Sequence, residues 1–469
     1  MRKKKQRLIL ENILIADYAA EGKALARHEG KVIFVTGGVP GDTADILITK
    51  SKKDWAEGVV KHIRQYAPQR QTAFCKHFGT CGGCKWQMLP YAQQLQYKQQ
   101  EAEQNLKRIG KIPLPEVLPI IGADDDKYYR NKLEFTFSNK RYLLPEEINT
   151  LDAEQGPEAA LGFHVPRIFD KVIAIDECYL MDGINNSIRN TVRDFAFKNN
   201  YPFYDIRQHT GWLRNIIIRY CTTGQLMVNI VFNYDDEAER KKIFDHLLQQ
   251  VPQITTLLFT INPKFNDTIY DLVPEVYFGK GYVEEKLEDF VFKISPKSFF
   301  QTNTGQAEKL YTVARDFAGL TGNEVVYDLY CGTGSIGIFV SRQAKKIIGV
   351  EVIAEAIEDA KENAALNNIN HAQFFAGDVI KICNDDFFAA HGRPDVIITD
   401  PPRAGMHEKL VNKLLEMAAP KIVYVSCNTA TQARDLALLG EKYTVEKIQP
   451  VDMFPHTHHI ECVVLLRLK

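Results

Sequence analysis

One cysteine of this chain is placed where it could act as a nucleophile. Cys427 follows the apolar run Ile422 to Val425, which predicts a buried strand, and a helical pattern with Thr429 as a possible N-cap begins just after it. The N-terminal end of a helix is positively polarised, so it can lower the pKa of a nearby thiol and favour the thiolate. A cysteine that only packs at a strand end is the alternative. The neighbouring motifs decide between the two.

A glycine-rich turn lies upstream of this cysteine, between the predicted strand EVVYDLY and a predicted helix. Residues 331–337 read CGTGSIG, which formally matches GxGxxG, and Gly332 in such a turn lets a ligand approach the backbone. Glu351 ends the next predicted strand, where a carboxylate can accept hydrogen bonds from both hydroxyls of a ribose. This pattern predicts a nucleoside-containing cofactor, which is either NAD or S-adenosylmethionine.

Two more acids end predicted strands further along the chain. Asp378 ends the third strand in FFAGD, where an adenine contact is expected, and Asp400 ends the fourth in DPPR. An Asp-Pro-Pro sequence here looks like nucleic-acid methyltransferases and favours S-adenosylmethionine, although Pro401 and Pro402 could merely end a strand. The regular alternation of strands and helices beyond Val291 predicts a doubly wound, mostly parallel sheet. Ligands of such a sheet bind at the carboxyl ends of its strands.

A cluster of cysteines occurs early in the chain, in CKHFGTCGGCKW; its members are Cys75, Cys81 and Cys84. Three soft ligands in so short a segment indicate a metal site, either zinc or an iron–sulfur cluster, and both need a fourth ligand. The spacing leaves Cys178 and Cys221 equally possible, and His77 is a third candidate. Metal binding and catalysis by thiols fit a reducing compartment, so we expect a cytoplasmic protein.

The remaining pattern divides the chain into three predicted domains. Short apolar alternations with glycine turns predict a small β-barrel over residues 1–66. A mixed α+β domain with the cysteine cluster follows over 67–290, and its helix near 90–122 is expected to pack on the third domain, 291–469. Residues 1–70 hold 14 Lys and Arg against 8 Asp and Glu, and this excess of positive charge predicts a surface that binds nucleic acid. No stretch reaches the roughly 18 apolar residues of a membrane span, so we expect no membrane partner.

Together, these features resemble the bacterial RNA 5-methyluridine methyltransferases, in the branch of the 23S rRNA (uracil-5-)-methyltransferases. The resemblance covers essentially the whole chain and rests on the motifs SFFQTN, DLYCGTGSIG, GVE, DPPRAG, VSCNT and HHIEC. It implies an α/β fold with a Rossmann-like S-adenosylmethionine methyltransferase domain, an N-terminal TRAM/OB-like β-barrel and a central α+β iron–sulfur domain. We expect a monomer whose partner is RNA.

The resemblance also implies roles for individual residues. Cys427 would be the nucleophile, Glu461 the general base, and Cys178 the fourth ligand of a [4Fe-4S] cluster. Besides Gly332, the residues implied to contact S-adenosylmethionine are Gln301, Tyr330, Glu351, Asp378, Asp400 and Ser335, the last of which is Asn in some family members. The implied substrate is 23S rRNA rather than tRNA, because the related tRNA enzymes lack both the barrel and the cysteine cluster.

The expected chemistry explains these residue types. C5 of uracil is too weak a nucleophile to take a methyl group from a sulfonium unaided, but addition of a thiolate to C6 makes C5 enolate-like. The C5 proton must then leave before the thiol is expelled, and a carboxylate such as Glu461 can take it. Burial would raise the pKa of Glu461, protonated His456, His458 or His459 would lower it, and the sequence leaves this balance open. A zinc site at these histidines is an alternative.

Other functions remain open at this point. An oxidoreductase would use the glycine turn for NAD. A catalytically silent RNA-binding or ribosome-assembly module would not need Cys427. For a methyltransferase, the alternative methyl acceptors are a tRNA uridine, C5 of cytosine and an exocyclic amine. A uracil stacked in folded RNA must swing out to reach thiol and methyl donor, so we expect a loop or junction substrate. Arg403 is a candidate for phosphate contact or for orienting the base. Candidates for base stacking are Phe299, Phe300, Tyr330 and Phe454.

Overall fold

The structure is a computed structural model that describes residues 8–144, 147 and 159–469. The basic segment at residues 1–7, part of the predicted nucleic-acid-binding surface, lies outside the described residues. The strands are β1 (Ile9–Ala19), β2 (Lys23–His28), β3 (Lys31–Thr36), β4 (Thr43–Ser51), β5 (Trp55–Gln65), β6 (Lys132–Ser138), β7 (Ala160–His164), β8 (Val172–Ala174), β9 (Leu213–Tyr220), β10 (Leu226–Phe232), β11 (Thr256–Ile261), β12 (Glu275–Gly279), β13 (Val283–Leu287), β14 (Phe290–Ile294), β15 (Val325–Leu329), β16 (Lys346–Glu351), β17 (Ala372–Ala376), β18 (Val396–Thr399), β19 (Lys421–Ser426), β20 (Tyr443–Val451) and β21 (Glu461–Leu468).

The α-helices connect and cover these strands, and none of those in the described ranges is long and apolar enough to cross a membrane. They are α1 (Tyr91–Asn105), α2 (Ile184–Lys198), α3 (Glu237–Gln250), α4 (Thr304–Ala318), α5 (Ser335–Val340), α6 (Ala354–Leu366), α7 (Val379–Ile382), α8 (Asp385–His391), α9 (Glu408–Met417) and α10 (Thr429–Leu439).

The N-terminal strands close into a barrel in the order β1-β2-β3-β5-β4. Alternate side chains fill its interior, because successive residues of a strand point to opposite faces; Ile15, Val35 and Ile46 are fully buried there. Gly58 of β5 allows a close strand approach, since a Cβ at this position would lie 2.4 Å from Ile46 Cγ2. The predicted N-terminal barrel is confirmed.

The middle of the chain forms a seven-stranded sheet in the order β12-β11-β10-β9-β6-β7-β8. Most neighbouring strands are antiparallel, whereas β10 and β11 are parallel and are joined through α3. Apolar side chains of α2 and α3, such as Val192 and Phe244, are buried against the sheet. The mixed α+β composition predicted for this part of the chain is present.

The hairpin of β13 and β14 crosses the predicted domain boundary at residue 291. Its side chains Val283 and Phe292 are buried in one cluster with Val326 and Val425 of the following sheet. The same cluster includes Met227 of the central sheet, so the two domains share a core. The domain bounds given above stay predictions.

The C-terminal sheet has the order β17-β16-β15-β18-β19-β21-β20. The strands from β17 to β19 run parallel, and β21 is antiparallel to β19. The predicted doubly wound, mostly parallel sheet is confirmed. The strand that follows β15 lies towards one edge of the sheet, and the strand that follows β18 lies towards the other edge. The carboxyl ends of β15 and β18 therefore border a crevice that can take a ligand.

Helix α1 lies between the barrel and the C-terminal sheet. It continues into a single π-helical turn, Leu106–Gly110, and this turn packs on α10. Leu106 is fully buried in the core of the C-terminal domain, while Gln100 Nε2 donates a hydrogen bond to Asp17 of β1 over 3.3 Å. The helix therefore ties the barrel to the domain that carries the predicted catalytic residues.

Candidate active site

The glycine turn after β15 makes room for a ligand. Tyr330 and Gly332 have φ of 62° and 52°, so the chain reverses sharply before α5. A Cβ at Gly332 would meet nothing within 4 Å, which shows open space beside this backbone. Gly334, by contrast, packs tightly, because a Cβ there would lie 3.0 Å from the ring of Phe374. The turn thus exposes its backbone to a ligand while its helix packs closely on the sheet.

Two acids predicted to bind the cofactor stand beside this turn. Glu351, the last residue of β16, accepts a hydrogen bond from the N–H of Gly332 over 3.3 Å. Asp378 accepts one from the N–H of Ile380 over 2.8 Å and caps α7. Burial raises the pKa of Tyr330, and the charges of Asp378 and Glu351 raise it further, so the phenol lies within electrostatic reach of both. The structure brings these three predicted residues together.

Ser335 and Gln301, two further residues predicted to bind the cofactor, are each held by contacts with other elements. Ser335 begins α5, and its Oγ lies 3.1 Å from the hydroxyl of Tyr311 in α4. Gln301 is buried in the segment before α4, where its carbonyl accepts a hydrogen bond from Asn131 Nδ2 over 2.9 Å. The same Nδ2 donates to Thr304 Oγ1 over 2.9 Å. The central domain therefore fixes the segment that carries Gln301.

The crevice between β15 and β18 is rich in carboxyl groups. Burial raises the pKa of Asp328 to about 7, and the charges of Asp400 and Glu351 raise it further. Burial also raises the pKa of Asp400 to about 7. Carboxyl groups held in this way favour a cationic ligand, because a positive charge stabilises their ionised forms. The sulfonium of S-adenosylmethionine meets this requirement, whereas the pyrophosphate of NAD would add charge of the same sign.

Cys427 and Glu461 lie at the ends of two neighbouring strands of the sheet. Ser426, the last residue of β19, pairs with Cys462 of β21 in an antiparallel ladder. Cys427 directly follows Ser426, and Glu461, which begins β21, directly precedes Cys462. The charge of Glu461 acts on the Cys427 thiol and raises its pKa. The strand pairing thus brings the two predicted catalytic groups together, although they are far apart in sequence.

The helix after Cys427 is capped differently from the prediction. The N-cap is Asn428, whose Oδ1 accepts hydrogen bonds from the N–H groups of Ala430 over 3.0 Å and Thr431 over 3.4 Å. Thr429 is the first residue of the helix instead. Asn has the better side chain for this role because its short carbonyl arm reaches the second and third N–H groups.

The pKa of the Cys427 thiol is also shifted in the direction opposite to the prediction. Burial raises it to about 12, and the charges of Glu461 and Asp400 contribute in the same direction. Arg403 acts against them, as a positive charge does, but does not reverse the shift. The expectation of a lowered pKa is therefore wrong, because burial and then the neighbouring carboxyl groups raise the pKa of this thiol.

The structure resolves the open question about the pKa of Glu461. Burial raises it well above its usual value, and the charge of Asp400 raises it further. The histidines do not oppose this, because burial lowers the pKa of His458 to about 3 and that of His459 to about 4. Burial lowers the pKa of His456 as well. Neutral imidazoles give the carboxylate no compensating charge, so burial dominates.

The segment between β20 and Glu461 is held from two sides. From α1, Lys98 Nζ donates a hydrogen bond to Asp452 Oδ1 over 2.6 Å. From the start of α4, Asn303 Nδ2 donates to the carbonyl of Met453 over 2.9 Å. These contacts fix the segment immediately before the predicted general base.

A cleft of ≈ 670 Å³ opens over Cys427. Its walls come from the barrel, from α1 and from the C-terminal domain, which contributes Arg403 and His458. The barrel touches the histidine segment directly, since a Cβ at Gly22 would lie 2.9 Å from His458 Cβ. A substrate that reaches the thiol through this cleft therefore contacts the barrel as well.

The four predicted metal ligands line one separate cavity of ≈ 30 Å³; they are Cys75, Cys81, Cys84 and Cys178. Burial raises the pKa of Cys81, and the charges of the other three add to this effect, so the four thiols lie near one another. His77 lines the same cavity, whereas Cys221 lies elsewhere, in the core beside Glu285. The structure thus assembles four soft donors around one cavity. Within the described ranges, no group of three or more His, Cys, Asp or Glu is arranged to hold a metal ion, and this includes the histidines near Glu461.

The cysteine loop is connected to the catalytic segment through His456. Its carbonyl accepts hydrogen bonds from the N–H groups of Lys85 over 2.7 Å and Trp86 over 3.1 Å. Its own N–H donates to Gln94 Oε1 of α1 over 2.8 Å. The cysteine cavity and the catalytic cleft are therefore distinct sites that share one supporting segment.

Several residues of the site were not predicted. Asp328 had a signal, since it is the lone acid within the apolar run VVYDLY. Tyr311 and Lys98 had none, because both lie in amphipathic helical patterns where polar groups are usually exposed. Their roles depend on elements that meet only in the folded chain.

Sheet order, glycine turn and strand-end acids define the class of an S-adenosylmethionine-dependent methyltransferase. A family model described as tRNA (Uracil-5-)-methyltransferase matches residues 272–469, and a TRAM domain model matches residues 11–61. An RNA methyltransferase from Bacteroides thetaiotaomicron is 54% identical over 455 residues, which cover 96% of this chain and 100% of the relative. An RNA methyltransferase from Porphyromonas gingivalis is 51% identical over 458 residues, which cover 96% of this chain and 98% of the relative.

One solved structure matches almost the full length of the chain. It is the Pyrococcus abyssi tRNA (uracil-54, C5)-methyltransferase in complex with S-adenosyl-L-homocysteine, with a TM-score of 0.73 and 25% identity. The match covers 98% of this chain and 100% of that one. The chain belongs to the S-adenosylmethionine-dependent RNA (uracil-5-)-methyltransferase family, and the family predicted from the motifs is confirmed.

Proposed function

We propose that this protein methylates C5 of a uridine in 23S rRNA, with Cys427 as the nucleophile and Glu461 as the general base. One observation supports this most strongly: Cys427 and Glu461 each adjoin the last residue pair of the β19–β21 ladder, and the charges of Glu461 and Asp400 both act on the thiol. A module that only binds RNA would have no need for a thiol and a buried carboxyl group at this position.

The first step requires the Cys427 thiolate. Bound S-adenosylmethionine supplies an electrophilic methyl group and a positive sulfonium charge. Such a charge beside Asp400 offsets the carboxyl groups that raise the pKa of Cys427, and the thiol proton leaves to water in the cleft. The sulfur of Cys427 would then bond to C6 of uracil, and the electron pair of the C5–C6 double bond would form the new bond from C5 to the methyl carbon. The methyl–sulfur bond of the cofactor would break with its electron pair on sulfur, so that neutral S-adenosylhomocysteine leaves.

The second step requires Glu461 as a carboxylate. It takes the proton from methylated C5, the C5–H electron pair restores the C5–C6 double bond, and the C6–S bond breaks with its electrons on Cys427. A carboxylate with a raised pKa is a stronger base than an exposed one, so the burial of Glu461 suits this step.

The choice of 23S rRNA is the finer part of the proposal. The cysteine cavity supports it through the family resemblance, but the barrel does not separate the two substrates. The Pyrococcus abyssi enzyme, described as acting on tRNA, is matched over its whole length by this chain. A tRNA uridine is therefore the second candidate substrate, and a cytoplasmic, monomeric enzyme is part of the proposal in either case.

The test is methylation of unmodified transcripts of 23S rRNA and of tRNA by the full-length protein, followed by mass analysis of nucleosides and mapping of the modified position. We expect 5-methyluridine in the 23S transcript. The same product only in tRNA would change the substrate, and 5-methylcytidine or an N-methylated base would overturn the C5-uridine assignment. The variant Cys427→Ala should give no product.

We further propose that Cys75, Cys81, Cys84 and Cys178 hold a [4Fe-4S] cluster, with zinc as the alternative. Four thiols are a donor set that either metal takes, and binding would have to draw them closer together, because in the described ranges they are not arranged to hold an ion. The cavity is separate from the Cys427 cleft and methyl transfer moves no electron, so the proposed role is structural. It would stabilise the loop whose Lys85 and Trp86 contact His456.

Anaerobic reconstitution with iron and sulfide tests the cluster, with metal content and visible absorption as readouts. We expect about four irons per chain, a loss of absorption in Cys81→Ser, and no loss in the matched control Cys221→Ser, since Cys221 lies outside the cavity. Stoichiometric zinc after expression in zinc-rich medium, without iron uptake, would replace the cluster by zinc. No bound metal in either experiment would remove the proposal.

A further inference from the structure

The outer face of two barrel strands forms the wall of the cleft opposite Cys427. In β3, Ile33 and Val35 are buried in the barrel, so the alternate residue Phe34 points outwards. In β5, Ala56 is buried and Trp55 points outwards by the same rule. Phe34 and Trp55 both line the cleft that contains Cys427. The barrel thus contributes aromatic side chains to the catalytic cleft itself.

These two aromatic side chains make one half-buried patch, here called the aromatic wall. Their ring centroids are 6.3 Å apart at an interplanar angle of 67°, and Lys50 Nζ lies 4.9 Å from the centroid of Trp55. β3 and β5 are paired neighbours in the barrel, so the patch rests on hydrogen-bonded strands rather than on a loop. A rigid aromatic surface with a nearby cation suits the stacking of a nucleobase.

Charge around the aromatic wall distinguishes a base from a phosphate. Asp54 and Glu57 line the cleft next to the aromatic residues, and their negative charge disfavours a phosphate at this face. Lys23 and Arg403 line other parts of the cleft and suit the sugar–phosphate backbone. The distribution therefore favours bases at the two aromatic side chains and phosphates towards Lys23 of β2 and Arg403.

From this geometry we propose that the aromatic wall, Phe34 and Trp55, stacks an unpaired base next to the target uridine and holds the strand while the target reaches Cys427. This inference rests on the proposed function and deepens it, because it names the part of the substrate that the barrel contacts. The cleft of ≈ 670 Å³ is large enough for more than the target base alone. The occupant is single-stranded RNA, in continuity with the catalytic site.

The first test is photo-crosslinking of the full-length protein to a short single-stranded RNA that carries 5-iodocytidine at successive positions. We expect the crosslink in the tryptic peptide of residues 54–61, which contains Trp55 and lies between Lys53 and Lys61. The peptide of residues 65–70 is the internal control, since it contains Tyr66, an aromatic residue of the same barrel that is 65% exposed and does not line the cleft. Crosslinks only to this control peptide, or only outside the barrel, would overturn the inference.

The second test is methylation kinetics on the unmodified transcript that the wild-type protein modifies. Trp55→Ala should raise KM for RNA ~10-fold, with kcat at saturating RNA unchanged, because a stacking contact contributes to binding and not to chemistry. Trp55→Phe should restore most of the affinity, and Tyr66→Ala should leave KM unchanged. Equal KM values for Trp55→Ala and Tyr66→Ala would contradict the inference. Thermal unfolding reports whether the barrel of Trp55→Ala is folded, since the proposed cofactor pocket lies outside the barrel and could bind S-adenosylmethionine without it.

The two proposals fail in different ways. If the wild-type protein methylates no transcript but crosslinks through Trp55, the proposed function fails and the aromatic wall stands as an RNA-binding surface. If it forms 5-methyluridine while the crosslinks avoid the barrel cleft, the enzyme stands and the aromatic wall is refuted. If a partner protein binds the aromatic wall instead, that protein would protect Trp55 from photo-crosslinking to RNA. Such protection would also refute the RNA assignment.

Discussion

Lys98 and Asp452 form a fully buried ion pair between α1 and the segment that leads to Glu461. Lys98 Nζ lies 2.6 Å from Asp452 Oδ1, and both side chains have no exposed surface. Asp452 also accepts hydrogen bonds from the hydroxyl of Tyr91 over 2.8 Å and from the N–H of Phe454 over 3.0 Å. A helix of the central part of the chain thus fixes the approach to the proposed general base.

Replacement of one partner of this pair should destabilise the protein strongly. Lys98→Met leaves Asp452 buried without its counter-charge, and we expect the free energy of unfolding to fall by about 3–5 kcal/mol in denaturant titrations. The control is Lys107→Met, because Lys107 is exposed in the turn that continues α1. The double variant Lys98→Met/Asp452→Leu should recover part of the loss. Equal free energies of unfolding for Lys98→Met and Lys107→Met would show that loss of the buried ion pair does not destabilise the protein by this amount.

The variant Glu461→Gln should trap its substrate. An amide cannot take the C5 proton, so methyl transfer would proceed while release of Cys427 from C6 would stop. With ordinary RNA we expect a covalent protein–RNA adduct that survives denaturing electrophoresis. The uracil in this adduct should carry the methyl group. Cys427→Ala/Glu461→Gln should form none. Free 5-methyluridine produced by Glu461→Gln at the wild-type rate would remove Glu461 as the base.

Reactivity of the Cys427 thiol should depend on the charge of the bound cofactor. The pKa of this thiol is raised to about 12, first by burial and then by Glu461 and Asp400, so alkylation by iodoacetamide should be slow at pH 7 and rise with pH. Addition of S-adenosylmethionine should shift the alkylation profile to lower pH, because its sulfonium offsets the carboxyl groups. S-adenosylhomocysteine is the matched control, since it has a similar shape and a neutral sulfur. The measurement is mass analysis of the peptide that contains Cys427, and identical shifts with both ligands would contradict the electrostatic account.

Stability of the ligand-free protein should fall as pH rises through neutrality. Asp328 and Asp400 have pKa values raised to about 7 from an ordinary 3.8, so the folded state favours their protonated forms. Their contribution to stability is complete below about pH 4 and is lost as pH rises through 7. Asp400→Asn should therefore give a melting temperature that depends less on pH between 5.5 and 8.5 than that of the wild type. The exposed Asp386→Asn should retain the wild-type slope, and an unchanged slope in Asp400→Asn would refute the shift.

Much of the proposed cofactor pocket could be predicted because its residues come from short continuous motifs. Gly332, Glu351 and Asp378 each lie at the end of a strand, and parallel strands bring their carboxyl ends to one edge. The direction of the Cys427 pKa could not be predicted in this way. It depends on Asp400 and Glu461, which approach the thiol from other strands, and on burial by elements from three parts of the chain.

The N-cap at Asn428 and the burial of Lys98 in α1 illustrate the same limit. The sequence pattern suggested Thr429 as the N-cap, and the hydrogen bonds of the folded turn place the cap at Asn428. The helical pattern of α1 did not reveal that Lys98 is buried, because nothing within the helix shows what packs on that face.

By itself, the sequence determined the family, the order of strands and helices in the last third of the chain, and the residue types available for chemistry, because these are properties of local patterns. Only the tertiary structure decided that Cys427 and Glu461 lie at neighbouring strand ends, and that the barrel forms a wall of the catalytic cleft. These are long-range contacts. They are set by strand register and by which apolar faces pack together, and so they exist only once the whole chain has folded.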